Sequence, residues 1–305
     1  MINRRIFIAD LALLGITFIW GTTFIIVQNI LDKLTPLTFN GWRFCLAALF
    51  LAVWQFLFMR KSNGSSKKYN WKLIGSAILL GTLLFAGYIC QTIGLLYTSA
   101  SNAAFITGLS VVLVPIFSAL LLRKPPHRNA IIGVVFAAFG LFLLTTKGQF
   151  SLNKGDLIVL VSAVTFALHI IFTAKVTDKF ESMSLTIVQL SVVALLAFVV
   201  GLFFDGGKLV DVRMLLQPDV SLVLIFMALF ATAFAFLLQT VLQKDTPATH
   251  VGIIYIMEPV FAAWTSVLFQ NAHLGTGELT GSLLILAGML LAEWPQKRGQ
   301  SVESH

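Results

Sequence analysis

Long apolar runs, separated by short polar connections, fill almost the whole chain. A helix that crosses a bilayer needs about 20 predominantly apolar residues. On that length the pattern predicts ten spans, at 6–28, 38–58, 72–96, 103–122, 130–146, 155–174, 184–204, 220–243, 249–270 and 278–294. The runs are too long, and alternate too little, for the segments of a β-barrel. The fold class is therefore an all-α integral membrane protein with ten transmembrane helices. The fifth run is short and the third is long enough to tilt. Only the charged stretch from Arg60 to Lys72 and the stretch from Asp205 to Asp219 form longer connections, and neither could make a separate domain.

Polar residues recur in order along these runs. Asp32-Lys33 is followed by Arg43 in an apolar run, and Asp178-Lys179 is followed by Gln189 in the matching place. Gln91 recurs as Gln239, and Gly133 with Gly140 recur as Gly281 with Gly288. The pattern divides the chain into a first unit, 1–148, a second, 149–295, and a tail, 296–305. Each unit holds five spans. A unit with an odd number of spans, repeated in tandem, lies in the bilayer in opposite orientations. Inverted repeats of this kind give many secondary transporters two access routes to one central site.

Composition agrees with the spans. Charged residues make up 11% of the 305 positions and hydrophobic ones 58%, whereas a soluble domain carries about 25% charged residues. The net charge of +8 does not point to nucleic acid, because the basic residues sit in short loops and form no continuous patch. They report orientation instead, since Lys and Arg concentrate in cytoplasmic loops. With the N-terminus inside, fifteen of the 21 Lys and Arg fall on the cytoplasmic side and five (Lys33, Lys147, Lys154, Lys208, Arg213) outside. Arg43 lies within a span. Both termini are thus expected in the cytoplasm, and the protein in the plasma membrane. The first run, with Asp10 inside it, is too long for the core of a signal peptide and reads as an uncleaved helix. Cys45 and Cys90 lie inside spans, so no disulfide or metal framework is implied. The triplet Asn63-Gly64-Ser65 falls in a cytoplasmic loop, where glycosylation does not apply. Gly201 to Lys208 fails as a phosphate loop, because Gly207 stands where lysine is required. ATP and other cofactors are not expected.

A few residues break the apolar pattern in ways that matter. Arg43 lies near the outer end of the second span, where its head can snorkel to the headgroups or face a cavity and attract an anionic substrate. An arginine within a span costs about 2.5–3.5 kcal/mol by insertion scales, so it needs a compensating environment. Glu258 is the only acid near mid-depth of its run. It can bond carbonyls freed by Pro259, which removes a backbone donor, or it can serve as a polar anchor, a cation site or a proton carrier. Pro115 sits at a comparable depth in the fourth span, and both prolines mark candidate kinks beside a cavity. His169 is either a packed histidine or a cavity group. No metal partners lie at ligand spacing around it. Gln91, Gln239 and Gln189 either bond between helices or line a cavity for polar solutes. In Trp20-Gly21-Thr22-Thr23-Phe24, small and hydroxyl residues permit close helix approach, while Trp20 and Thr23 are candidates to face substrate. Phe105 and Tyr255 are the further aromatic residues placed near it. The paired glycines read as packing positions.

Taken in order, Trp20-Gly-Thr-Thr-Phe, Arg43-Phe, Phe105-Ile-Thr-Gly-Leu through Pro115, Glu258-Pro259-Val and Gly281 to Gly288 resemble the EamA family of the drug/metabolite transporter superfamily, across essentially the whole length. The resemblance implies two inverted five-helix repeats forming a basket. Its cavity is lined by helices 1, 3, 4, 6, 8 and 9, and helices 5 and 10 pack through their glycines. Members move amino acids, nucleobase-like metabolites and other small organic solutes. The chain departs from two-fold symmetry where Ser110-Val111 stands in place of Glu258-Pro259, which leaves proton coupling open.

The expected function is secondary transport of small organic metabolites by alternating access, with export favoured on family grounds alone. The partners are a small-molecule substrate and membrane lipid. Arg43 would attract substrate, Glu258 would anchor it, and Trp20, Thr23, Gln91, Phe105, His169 and Tyr255 would shape the site. The alternatives are an intramembrane lipid-modifying enzyme, which needs clustered acids, histidines or metal ligands, and a channel or scaffold.

Overall fold

A computed structural model describes residues 4–59, 70–123, 128–146, 153–244, 246–270 and 275–293. The triplet at Asn63 and the 296–305 tail lie outside these. The described residues form helices and no strand. The first half comprises α1 (Arg4–Ile30), α2 (Pro36–Trp54), α3 (Trp71–Gly94), α4 (Ala100–Gly108), α5 (Ser110–Leu122) and α6 (Arg128–Thr146). In the second half α7 (Lys154–Val176) and α8 (Ser182–Phe204) precede a short α9 (Val212–Leu215). There follow α10 (Pro218–Ala228), a π-helical turn over Leu229–Phe234, α11 (Ala235–Leu242), α12 (Ala248–Tyr255), α13 (Met257–Gln270) and α14 (Thr276–Glu293). A second π-helical turn, Gln55–Met59, extends α2.

Side-chain caps set several helix starts. Thr35 accepts from the Thr38 amide with Pro36 in the first turn, and Asn70 and Ser99 do the same for Leu73 and Asn102. Asn153 and Asp156 form a reciprocal capping box on α7. Each satisfies amides that the first turn leaves without helical partners.

Among the described residues, seven helical stretches are long and apolar enough to cross a membrane, against ten runs expected from the pattern. The ninth run divides at Ile256 into α12 and α13. Pro259, lacking an N–H and crowding the carbonyl four residues back, prevents one continuous helix there. The fifth and tenth runs form α6 and α14, whose apolar stretches among the described residues are Arg128–Leu143 and Leu279–Gly288. The fourth run breaks at Leu109, between Gly108 and Ser110, and still spans.

Packing joins the two halves throughout. α6 lies against α14, α3 against α7 and α8, α2 against α8, and α1 against α13. A Cβ added to Gly140 would sit 2.6 Å from the Gly281 carbonyl oxygen, and one added to Gly288 would sit 2.6 Å from that of Gly133. The backbones therefore touch, and any side chain would force them apart. The pairs 140/281 and 133/288 also make α6 and α14 antiparallel. α2 and α8 run oppositely as well. Asp205, just past α8, accepts from Thr35 and Thr38 at the start of α2, while Gln55, just past α2, donates to Ser184 near the start of α8 at 3.2 Å.

Candidate functional site

The helix breaks leave space at the centre. α1, α2, α3, the α4–α5 junction, α7, α11 and the α12–α13 junction border a central cavity. Elements of both halves build its wall. Aromatic rings dominate it: Trp20 meets Tyr255 edge-on at 5.1 Å and Phe236 at 5.5 Å, and Tyr88 meets Phe166 at 5.2 Å.

Arg43 supplies the cation. It is 3% exposed, so it does not snorkel; its compensation comes from protein groups. Its Nε donates to Thr232 Oγ1 at 2.6 Å and its Nη2 to the Ala231 carbonyl at 3.2 Å. Both acceptors lie on the π-turn, where the ladder is reset and carbonyls turn out of the helix. The same Ala231 oxygen accepts from Trp20 Nε1 at 2.9 Å. The guanidinium stacks near Tyr88, 4.8 Å from its ring centroid, and near Phe44 at 5.3 Å. Among the described residues Arg43 makes no ion pair.

Further acceptors and donors line the same cavity. Glu258 lines the space and makes no hydrogen bond or ion pair among the described residues. The Tyr255 hydroxyl and Gln239 Oε1 are buried without a hydrogen-bond partner, and both residues line the cavity. Buried polar groups are rarely left so unless a ligand or water completes them. Gln91 donates to Thr107 Oγ1 at 3.1 Å. His169 Nε2 lies 3.2 Å from Gln189 Oε1 and 3.4 Å from Thr173 Oγ1, so this ring is tied to the helix behind it. Among the described residues no group of three or more His, Cys, Asp or Glu could hold a metal ion.

Of the residues singled out in the sequence, Trp20, Thr23, Arg43, Gln91, His169, Tyr255 and Glu258 all border this one cavity. Phe105 does not. It packs between two apolar clusters, and Thr107, two residues on, takes the lining position. Gln189 stands behind His169 rather than at the surface of the cavity. The Trp20 segment is both closely packed and cavity-lining. An added Cβ at Gly21 would meet the Glu258 carbonyl oxygen at 2.6 Å, so α1 and α13 touch there, while Trp20 faces inward.

Tyr88, Phe166, Phe236 and Thr232 were not legible as site residues. A signal for three of them existed. The spacing that carries Asp32 to Asp178 carries Trp20 to Phe166 and Thr23 to His169, and the spacing that carries Gln91 to Gln239 carries Tyr88 to Phe236. Thr232 has no such signal, because its partner position is Leu84.

Comparison with known proteins agrees with this architecture. A family model described as the EamA-like transporter family matches residues 7–146 and again 153–294. An uncharacterized transporter of Archaeoglobus fulgidus is 31% identical over 283 residues, covering 93% of this chain and 85% of that protein. The uncharacterized transporter YyaM of Bacillus subtilis is 26% identical over 287 residues, covering 92% of each. A solved crystal structure superposes with a TM-score of 0.76 over 93% of this chain and 97% of its own, at 15% identity, a likeness of fold. Two matched segments, together spanning both halves and the cavity between them, place this multi-pass membrane protein in the EamA-like transporter family.

Proposed function

We propose that the protein is a secondary transporter of small organic metabolites that carry an anionic group such as a carboxylate. Ten spans, arranged as two inverted five-helix repeats over 1–148 and 149–295, would carry it across the plasma membrane with both termini in the cytoplasm. The antiparallel crossings of α2 with α8 and of α6 with α14 support the inversion. Alternating access would come from rocking of the halves about those crossings. Export is the direction the family favours.

One observation carries this reading. The cavity shared by both halves holds a buried cation, Arg43, and a carboxyl, Glu258, that are not paired with each other. Ionisable groups that face a cavity inside a membrane protein mark substrate or ion pathways. A solute with an anionic end would meet Arg43, its apolar body would lie on Trp20 and Tyr255, and a polar end would reach Glu258 and Gln239.

Counterflow of labelled small carboxylates in proteoliposomes tests it. Saturable exchange across the bilayer is the expected result. Chemical turnover of the solute in detergent without vectorial flux would favour the intramembrane enzyme instead. Unsaturable flux would favour a channel. If Glu258 carries protons, Glu258→Gln flattens the dependence of flux on pH. A pH profile unchanged by that substitution would dismiss proton carriage by this residue.

A further inference from the structure

The π-turn over Leu229–Phe234 does more than accommodate an irregular helix. Thr232 Oγ1 donates to the Met227 carbonyl, five residues back, at 2.7 Å. A hydroxyl has one proton and two lone pairs. With the proton committed to Met227, the oxygen can only accept from Arg43, whose Nε lies at 2.6 Å. Ala231 accepts from the neighbouring Nη2 at 3.2 Å. These two acceptors occupy the side-on edge of the guanidinium, formed by Nε and Nη2. The end-on edge, formed by Nη1 and the second Nη2 hydrogen, is turned away from the π-turn, next to Tyr88, whose ring centroid lies 4.8 Å from the guanidinium carbon and whose side chain also interacts with the charge. The plane and direction of the fork are thus set by one helical irregularity in the other half of the molecule.

We infer that Thr232 is a positioning residue that sets the preference of this site for carboxylates over their neutral amides, by pinning the side-on edge of Arg43 so that its end-on fork meets the substrate. The inference rests on Arg43 being the anion contact proposed above. A fork held in place offers two parallel N–H donors, which a carboxylate accepts with both oxygens. An amide presents one oxygen and an NH₂ that faces a donor. A guanidinium free to rotate loses much of that discrimination, because it can turn a single N–H to the amide oxygen.

The test compares proteoliposome uptake of phenylalanine with phenylalaninamide, and of phenylacetate with phenylacetamide, probes whose rings suit the aromatic walls. Thr232→Val, nearly the same shape without the hydroxyl, is expected to raise KM for the carboxylates about tenfold, the scale of one hydrogen bond to a charged group. Maximal rate and the amide KM should stay unchanged, and Thr232→Ser should restore the carboxylate KM. If Thr232→Val keeps the wild-type carboxylate preference while Arg43→Gln abolishes it, the role of Thr232 is overturned and that of Arg43 stands. If Thr232→Val weakens carboxylates and amides equally, its effect is on folding and the proposal fails. If the wild type shows no carboxylate preference, or Arg43→Gln leaves it intact, both readings fall.

Discussion

The third helix of the first half and its counterpart in the second share a register but not a shape. α3 runs unbroken from Trp71 to Gly94, whereas the corresponding stretch from Pro218 to Leu242 is interrupted by the π-turn. Residues on either side keep step: Tyr88 answers Phe236, Gln91 answers Gln239, and Thr92 answers Thr240, each threonine hydroxyl bonding a carbonyl four residues back. The interruption lies opposite Arg43. The position equivalent to Arg43 is Gln189, which faces a smooth α3 and bonds to His169 instead. The neutral amide meets one ring nitrogen through Oε1 and leaves its buried Nε2 without a hydrogen-bond partner, whereas the buried guanidinium takes two acceptors from the π-turn. The repeat is therefore conserved where backbones touch, as at Gly140 and Gly288, and abandoned where the cavity acquires charge.

Three substitutions break or sharpen that contrast. Arg43→Gln, which makes the charged half imitate the neutral one, should lower uptake efficiency for carboxylate solutes about 100-fold, the scale of losing a buried charged contact. Uptake kinetics in proteoliposomes measure it, and near-wild-type efficiency would show that the asymmetry has no role in transport. Gly288→Val strikes the symmetric part instead. Its Cβ would meet the Gly133 oxygen, and overpacking of this kind costs about 1–3 kcal/mol. A lowered thermal midpoint in detergent is expected, with substrate KM preserved in the protein that remains folded; an unchanged midpoint would mean that the helices separate freely. The smallest effect belongs to Gln189→Leu, which removes the partner of a buried imidazole. It should cost about 1 kcal/mol of stability and leave carboxylate selectivity as it was, and a selectivity change comparable to that of Arg43→Gln would deny the contrast between the halves.

How much of this could be read from the chain depends on what the residues report. Apolar runs gave the helical class directly, since little else explains so few charges. The break before Pro259 was also readable, because proline acts through its own covalent structure. Lining positions were harder. A membrane helix is apolar on both its lipid face and its packed face, so hydrophobic periodicity separates the two poorly. Polar exceptions such as Arg43, Gln91 and Glu258 therefore stood out, while Tyr88, Phe166 and Phe236 looked like any other aromatic residue. The same blindness put Phe105 where Thr107 belongs: on α4 the aromatic ring packs and the hydroxyl faces inward. The π-turn left no mark at all. Leu-Phe-Ala-Thr-Ala-Phe contains neither proline nor glycine, and its geometry is understood only once Arg43 and Trp20 are seen on the other side.

The Ala231 carbonyl has one further consequence. That oxygen fastens an indole from α1 and, together with Thr232 Oγ1 of the same turn, a guanidinium from α2 to the opposite half. Neither group can be let go singly by moving that turn. Straightening it would unhook ring and cation in the same stroke, so under the proposed function the grip on an anionic cargo and the shape of its aromatic berth would be worked by one knot.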